Sequence, residues 1–362
     1  MSSTSPVGQT LSGLPGGPDK ARPTGEKFLI VRLGSLGDVI HGIPVAAALR
    51  SRFPRAHIDW IVDARYVELL DLVESLDRRI AIDPRDVTRA GQRARLIGSI
   101  RELRRARYDA AIDLQGLVKS AILARAAGAR RTIGFAKRHL REPLARFLYS
   151  DPIDTGAAAH VIDKSLALLE PLGVTDRRPR FPITIPRTDV VASVIDRFAP
   201  NGYALVNPGA AWPNKRWPPD RFGAVAAAIH RDFGIRSLVL WGPGEQPLAS
   251  AVAAASMGAA EVAPPTTISD LVGIARHARV MVSGDTGPLH IAGAVGTPIV
   301  ALFGPTFPER NGPWSRHDIT ISRDAGCACH YQRQCRREVP CINDIGIGDV
   351  MDAVQQRLRV HA

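Results

Sequence analysis

Two short runs, about 250 residues apart, constrain this chain more than any other feature. The first is Arg32-Leu33-Gly34-Ser35-Leu36-Gly37-Asp38-Val39-Ile40-His41; the second is Ser283-Gly284-Asp285-Thr286-Gly287-Pro288-Leu289-His290. In each, an apolar strand pattern gives way to a helical one, glycines occupy the turn, and a carboxylate stands at the start of the helix. A strand, a tight turn and a helix N-terminus together make a cradle for anions and sugars. Backbone N–H groups and the positive end of the helix dipole converge there. One such element is common; two imply a pair of α/β units facing each other across a cleft.

The pattern between the runs agrees. From Lys27 the chain alternates strand-like and helix-like segments: Lys27 to Leu33, Val39 to Arg50, His57 to Val62, Ala64 to Leu72, Ile80 to Ile82, Arg93 to Arg107, Tyr108 to Leu114 and Leu117 to Ala127. A less regular basic stretch, Arg130 to Tyr149, leads to a helix expected over about Ala158 to Leu172. The alternation restarts at Tyr203 and runs through strands at 203–206, 237–241, 280–282 and 298–303. Such spacing argues parallel sheets covered on both faces. The fold class expected is α/β, with two Rossmann-like doubly wound domains at 27–185 and 201–345. Between them a linker is expected at 186–200, in a segment rich in Pro, Arg and Asp. A disordered leader is expected at 1–26, and at 346–362 an amphipathic helix folding back toward the first domain.

Composition narrows the function classes. The 362 residues carry 47 Lys and Arg against 35 Asp and Glu, a net charge of +12. That excess reads either as drift toward arginine or as attraction to an anionic partner, a phosphorylated substrate or the inner face of a membrane. No nucleic-acid-binding signature accompanies it. No stretch has the roughly 18 to 20 apolar residues that a membrane span needs, and the first residues lack the apolar core of a signal peptide. A cytoplasmic location is the expectation.

Four segments carry chemistry. Asp38 is either a helix cap or a carboxylate at the end of the first strand, able to take a proton from an attacking hydroxyl. The motif is not G-x-G-x-x-G, which disfavours nicotinamide chemistry. The loop Asn207 to Pro218 offers Lys215 as a point charge for a diphosphate. Glu245, after Trp241-Gly242-Pro243-Gly244, could accept from sugar hydroxyls or serve the helix dipole. Asp285-Thr286-Gly287 completes the set on the same sheet edge. Separately, Cys327, Cys329, Cys335 and Cys341 follow C-x-C-x5-C-x5-C. This spacing is that of no standard finger, and it leaves a structural zinc site or inert thiols as the readings.

These runs resemble the heptosyltransferases of lipopolysaccharide inner-core synthesis, glycosyltransferase family 9. The similarity extends from Lys27 to about Val360. It is carried by Gly37 to His41, by Asp113-Leu-Gln-Gly-Leu-Val-Lys-Ser-Ala121, by Arg141-Glu-Pro-Leu-Ala145, by Lys215-Arg-Trp-Pro218 and by Ser283 to His290. The Gln-Gly-Leu-Val-Lys-Ser and Arg-Glu-Pro-Leu-Ala runs look most like the heptosyltransferase I branch, which adds the first heptose to Kdo on lipid A. Ala210 and Ala211 stand where that branch often has hydroxyl residues, and the cysteines look more like those of some heptosyltransferase II relatives.

The resemblance implies a GT-B fold and inverting, metal-independent transfer from ADP-L-glycero-D-manno-heptose, with no cofactor. Asp38 would be the catalytic base. Lys215, Glu245, Gly284, Asp285, Thr286, Gly287 and His290 would bind the donor, and Gly37, His41, Lys119 and Arg141 the acceptor. The implied partners are ADP-heptose, a Kdo–lipid A acceptor and the anionic inner face of the inner membrane, where the enzyme would be peripheral; no nucleic acid is implied. Rival readings are heptosyltransferase II, a family transferase with another glycan or nucleotide sugar, and a nucleotide-sugar-binding or epimerase-like protein of the same fold.

Overall fold

The computed structural model describes residues 25–83 and 93–359. The leader expected at 1–26 lies outside the described residues up to position 24.

The first unit contains strands β1 (Lys27–Val31), β2 (His57–Asp63), β3 (Arg78–Ile82), β4 (Ala110–Asp113), β5 (Arg131–Phe135) and β6 (Asp151–Ile153). Its helices are α1 (Leu36–Arg52), α2 (Val67–Asp71), α3 (Arg93–Ala106), α4 (Val118–Ala126) and α5 (Val161–Ala167). After α6 (Asp189–Arg197) the second unit supplies β7 (Tyr203–Asn207), β8 (Arg236–Val239), β9 (Ala260–Val262), β10 (Val280–Gly284), β11 (Ile299–Phe303) and β12 (Ile319–Ser322). Its helices are α7 (Pro219–Phe233), α8 (Gln246–Ala255), α9 (Ile268–His277), α10 (Gly287–Ala294), α11 (Pro308–Asn311) and α12 (Ile347–Arg359).

Each unit has one six-stranded sheet, ordered β3-β2-β1-β4-β5-β6 and β12-β11-β10-β7-β8-β9, with every pairing parallel. The second order read backwards repeats the first. Central strands are apolar on both faces because helices cover both sides: four of the five residues of β1 and all five of β7, β10 and β11 are buried. In such sheets ligands bind outside the carboxyl ends of the strands, where the order reverses. Those points are the β1/β4 and β7/β10 junctions.

The two units touch along a seam. A continuous apolar cluster joins Ile40 and Ile43 of α1 to Leu289 and Ala292 of α10. At the helix starts the approach is so close that a Cβ on Gly37 would sit 2.4 Å from the His290 ring, and one on Gly287 2.7 Å from Leu36. Further along, Glu68 of α2 reaches across to α9. Its carboxylate accepts from the Ser269 N–H at 2.8 Å and the Ile268 N–H at 3.3 Å, capping a helix of the other unit. Burial works against the charge of Glu68, but these N–H donors outweigh it and bring its pKa down.

Two expectations about the chain's course are corrected. The terminal helix α12 does not return to the first unit: Val350, Ala353, Val354 and Leu358 join the apolar cluster of the second sheet, and buried Arg357 pairs with Asp318 at 2.9 Å. Its apolar stripe finds its cover at home. The expected linker is also partly helical. Thr188 caps α6 by accepting from the Val191 N–H at 3.2 Å, and donates to Asp270 of α9 at 2.6 Å. Residues 182–184, by contrast, still bond to the first unit through Glu74 and Leu72.

Candidate active site

The loops leaving both switch points line one cleft of about 890 Å³. Arg32, Gly37 and Asp38 come from the β1–α1 turn and Gln115 from the end of β4. Lys215 follows β7 and Asp285 follows β10. The cleft is therefore where parallel topology places a ligand site twice over, once from each sheet.

Asp38 lies in the first turn of α1, with its carboxylate at the cleft. Its Oδ2 closes a capping box, accepting from the Ser35 N–H at 2.8 Å and the Ser35 hydroxyl at 3.0 Å. Its Oδ1 makes a tight ion pair with Arg32. About a third of the side chain, 34%, remains open to the cleft, which lets a hydroxyl reach it. Burial raises its pKa, but Arg32, the Ser35 hydrogen bonds and the field of Arg310 together outweigh that and leave the carboxyl below its ordinary value. Arg32 is itself buried at the end of β1, donating to the Leu114 carbonyl, while its Nε has no partner.

Asp285 is a buried hub. It accepts from Lys215 Nζ at 2.6 Å, Thr306 Oγ1 at 2.8 Å, Asn311 Nδ2 at 2.8 Å and His290 Nε2 at 3.3 Å. Burial opposes its charge, yet His290 and Lys215 hold it far below the usual carboxylate range. Its four partners use its lone pairs, so its role is to fix Lys215. The ammonium lies 4.8 Å from the Trp212 ring centroid, and so is held by a carboxylate and an aromatic face at once. Buried Asn207 at the end of β7 donates to Ser283 at 3.1 Å and Thr286 at 3.0 Å, locking the β7 and β10 loops together.

Three imidazoles meet at the seam. His41 lies edge-on to His290 with centroids 4.4 Å apart, and 5.8 Å from His160. Burial, then the neighbouring His290 and His160, push His41 well below the ordinary histidine value. His160 Nε2–H donates to the Gly312 carbonyl at 3.1 Å, and its Nδ1 accepts from the Ile162 N–H at 3.2 Å. Those two bonds fix the neutral tautomer, in keeping with the burial that lowers its pKa.

Of the site residues expected from sequence, Asp38, Lys215, Asp285, Thr286, Gly287, His290, Gly37, His41 and Arg141 line the cleft. Three do not. Lys119 is exposed on α4. Gly284 is buried at the end of β10, where a Cβ would meet the Lys215 carbonyl at 2.9 Å. Glu245 accepts from the Gly242 N–H at 3.2 Å and pairs with Arg216 at 3.7 Å, bracing the loop behind the cleft. Residues missed in the sequence are Arg32, Thr306, Arg310 and Asn311. The last three follow β11, in Gly304-Pro-Thr-Phe-Pro-Glu-Arg-Asn311, a strand-to-helix junction like the others; Arg32 is a charge at the end of an apolar strand. The four thiols do gather, with Sγ separations of 3.4 Å (Cys327–Cys329) and 3.5 Å (Cys329–Cys335). Among the described residues, no group of three or more His, Cys, Asp or Glu is arranged to hold a metal ion.

The profile of glycosyltransferase family 9 (heptosyltransferase) matches residues 97–339, two thirds of the chain. The chain belongs to this family. Among curated relatives, lipopolysaccharide heptosyltransferase 1 of Pseudomonas aeruginosa is 28% identical over 324 residues, covering 85% of this chain and 87% of its own. Among solved structures, Escherichia coli heptosyltransferase WaaC with ADP superposes with a TM-score of 0.73 at 24% identity, covering 93% of this chain and all of its own. The same enzyme with ADP-2-deoxy-2-fluoro heptose gives 0.69 at 23% identity, with coverages of 93% and 100%. These likenesses agree on the GT-B arrangement of two sheets about a cleft. The protein is thus a family 9 glycosyltransferase whose two switch-point loops form its cleft.

Proposed function

We propose that this family 9 enzyme transfers heptose from ADP-L-glycero-D-manno-heptose to the Kdo–lipid A inner core, with inversion and without a metal ion. The observation that carries the proposal is the meeting of Asp38 from one sheet with Lys215 and the α10 N-terminus from the other, in one cleft. The similarity to lipopolysaccharide heptosyltransferase 1 and to WaaC supports the choice of donor and acceptor.

The chemistry follows from the placement. A sugar nucleotide carries its own leaving group, so the protein's work is alignment, proton removal and charge stabilisation. Asp38 takes the proton of the acceptor hydroxyl as its oxygen attacks the anomeric carbon from the side opposite the diphosphate. One displacement inverts that carbon. A positioned base contributes about 10²- to 10⁴-fold. Lys215, held by Asp285 and Trp212, presents positive charge to the departing ADP, and the N–H groups at the start of α10 add the helix dipole. Arg141 at the cleft supplies charge for the acidic acceptor. No helix among the described residues is long and apolar enough to cross a membrane. The enzyme meets its lipid-linked acceptor as a peripheral protein on the cytoplasmic leaflet, and its net charge of +12 favours that surface.

The deciding experiment offers ADP-heptose with Kdo–lipid A, and separately with heptosylated Kdo–lipid A, and reads products by mass spectrometry with and without chelator. The expected result is one added heptose on the first acceptor only, unaffected by chelator, with inverted configuration by NMR. Addition to the second acceptor alone would transfer the assignment to the heptosyltransferase II reaction.

A further inference from the structure

We infer that the short 3₁₀ segment Pro143–Leu148, with the adjoining face of α4, is the surface by which this enzyme docks on an anionic lipid bilayer. The inference rests on the lipid-linked acceptor proposed above and names the surface that would bring the cleft to it.

Leu144 is 70% exposed and Phe147 79% exposed, among the most open large apolar side chains of the described residues. In a 3₁₀ helix, side chains at i and i+3 eclipse, so these two project from the same side. Ile122 of α4, half exposed, belongs to the neighbouring surface. It and Leu148 line a shallow groove of about 420 Å³ together with Arg104 and Arg125. Apolar side chains this open, clustered on two packed elements, mark an interaction site rather than ordinary surface scatter.

The charge around them selects the partner. Residues 117–149 carry eight Lys and Arg against one Glu. Arg130, Arg131 and Arg138 are spent on Asp109, Asp151 and Asp154. Lys119, Arg125, Arg141 and Arg146 have no carboxylate partner among the described residues. The single Glu, Glu142, accepts from the Val118 N–H at 2.8 Å, so its charge is met by the start of α4. Apolar residues ringed by unpaired cations fit a leaflet with anionic headgroups: the apolar groups enter the acyl boundary while the cations stay among phosphates. Position completes the argument, because Leu117 and Arg141, which flank the two elements, both line the cleft. A protein docked here holds the acceptor side of its cleft against the headgroups.

The test uses the full chain with vesicles of phosphatidylcholine alone or mixed with phosphatidylglycerol. Wild type should sediment with the mixed vesicles only. The Leu144→Ser/Phe147→Ser variant should bind them about tenfold or more weakly, while turning over a deacylated, water-soluble acceptor at the wild-type rate. Phe147→Trp should show a blue shift in emission on adding mixed vesicles. Undiminished vesicle binding by the double variant, no binding by wild type, or no shift in Phe147→Trp would overturn the proposal. So would a lipid-free dimer that the double variant abolishes, since the face would then join two copies of the chain. Failure of wild type to use the soluble acceptor would count against the transferase reading and leave the vesicle result to stand or fall alone.

Discussion

Replacing Asp38 by Asn separates two functions that its two oxygens perform. The amide retains an oxygen for the Ser35 N–H and hydroxyl, the two bonds that Asp38 makes from the third position of the helix, so α1 should keep its start. What is lost is the proton acceptor and the partner of Arg32. The first loss should lower turnover about 10²- to 10⁴-fold, or about 3 to 5 kcal/mol of transition-state stabilisation. The second leaves a buried guanidinium with the Leu114 carbonyl as its remaining hydrogen-bond partner. Breaking a fully buried pair costs about 3 to 5 kcal/mol. Because Asp38 is a third open to solvent, screening brings this to about 1 to 3 kcal/mol. Urea denaturation measures that term, and kcat in buffer, where the variant stays folded, measures the other.

The pH dependence adds a check. Asp38 has a folded pKa below its ordinary value, so its stabilising contribution is fully present above about 3.9, the unfolded value, and is lost as pH falls through the folded one. The acid limb of kcat/KM should accordingly lie below the usual carboxylate range. Arg32→Gln removes the largest influence holding the pKa down and leaves burial opposed only by the Ser35 hydrogen bonds and Arg310, so it should move that limb upward. Turnover of Asp38→Asn within about tenfold of wild type, or an acid limb unmoved in Arg32→Gln, would refute the assignment of Asp38 as base.

Other expectations follow from the same contacts. Lys215→Ala should weaken ADP and ADP-heptose together by about 1.5 to 3 kcal/mol in calorimetric titration, the cost of one desolvated charge-assisted contact; unchanged ADP affinity would remove Lys215 from the donor site. Arg141→Ala should raise the acceptor KM and leave the donor KM alone. Glu68→Ala deletes a helix cap that spans the units, and should cost about 0.5 to 2 kcal/mol in urea denaturation. His41 and His160 both have folded pKa values below their unfolded value, so stability should fall as pH drops below about 6.5, with a slope of at most about 1.4 kcal/mol per pH unit for each and the steeper share from His41. His160→Asn should make that slope shallower.

The doubled α/β plan was legible because strands buried on both faces leave continuous apolar runs, and because each switch-point turn carries its own glycines and carboxylate. Asp38, Lys215 and Asp285 could be singled out on that basis. Their division of labour could not. Nothing local announces that Asp285 is consumed by Lys215, Thr306, Asn311 and His290, since two of those partners come from the loop after β11. Glu245 sits at a turn of the same type as Asp38, yet faces Arg216 and the Gly242 amide instead of the cleft. The last two strands of the first sheet were hardest. β5 opens on Arg131 and contains Gly134, so it merged into a basic stretch, and β6 has three residues with no periodicity to detect. The amphipathic pattern of α12 showed that one face must be covered, but a pattern names no partner, and the nearest uncovered sheet took it.

The close approach at the seam bears on how such enzymes can be recombined. Gly37 leaves room for a histidine of the other unit, and Gly287 leaves room for a leucine of the first. Each half thus carries a socket shaped for the other's side chain. A chimera that joins the front half of one family member to the back half of another must import these as matched sets, Gly37 with His290 and Leu36 with Gly287. A mismatched graft would hold its halves apart by the width of a methyl group, however well each folded by itself.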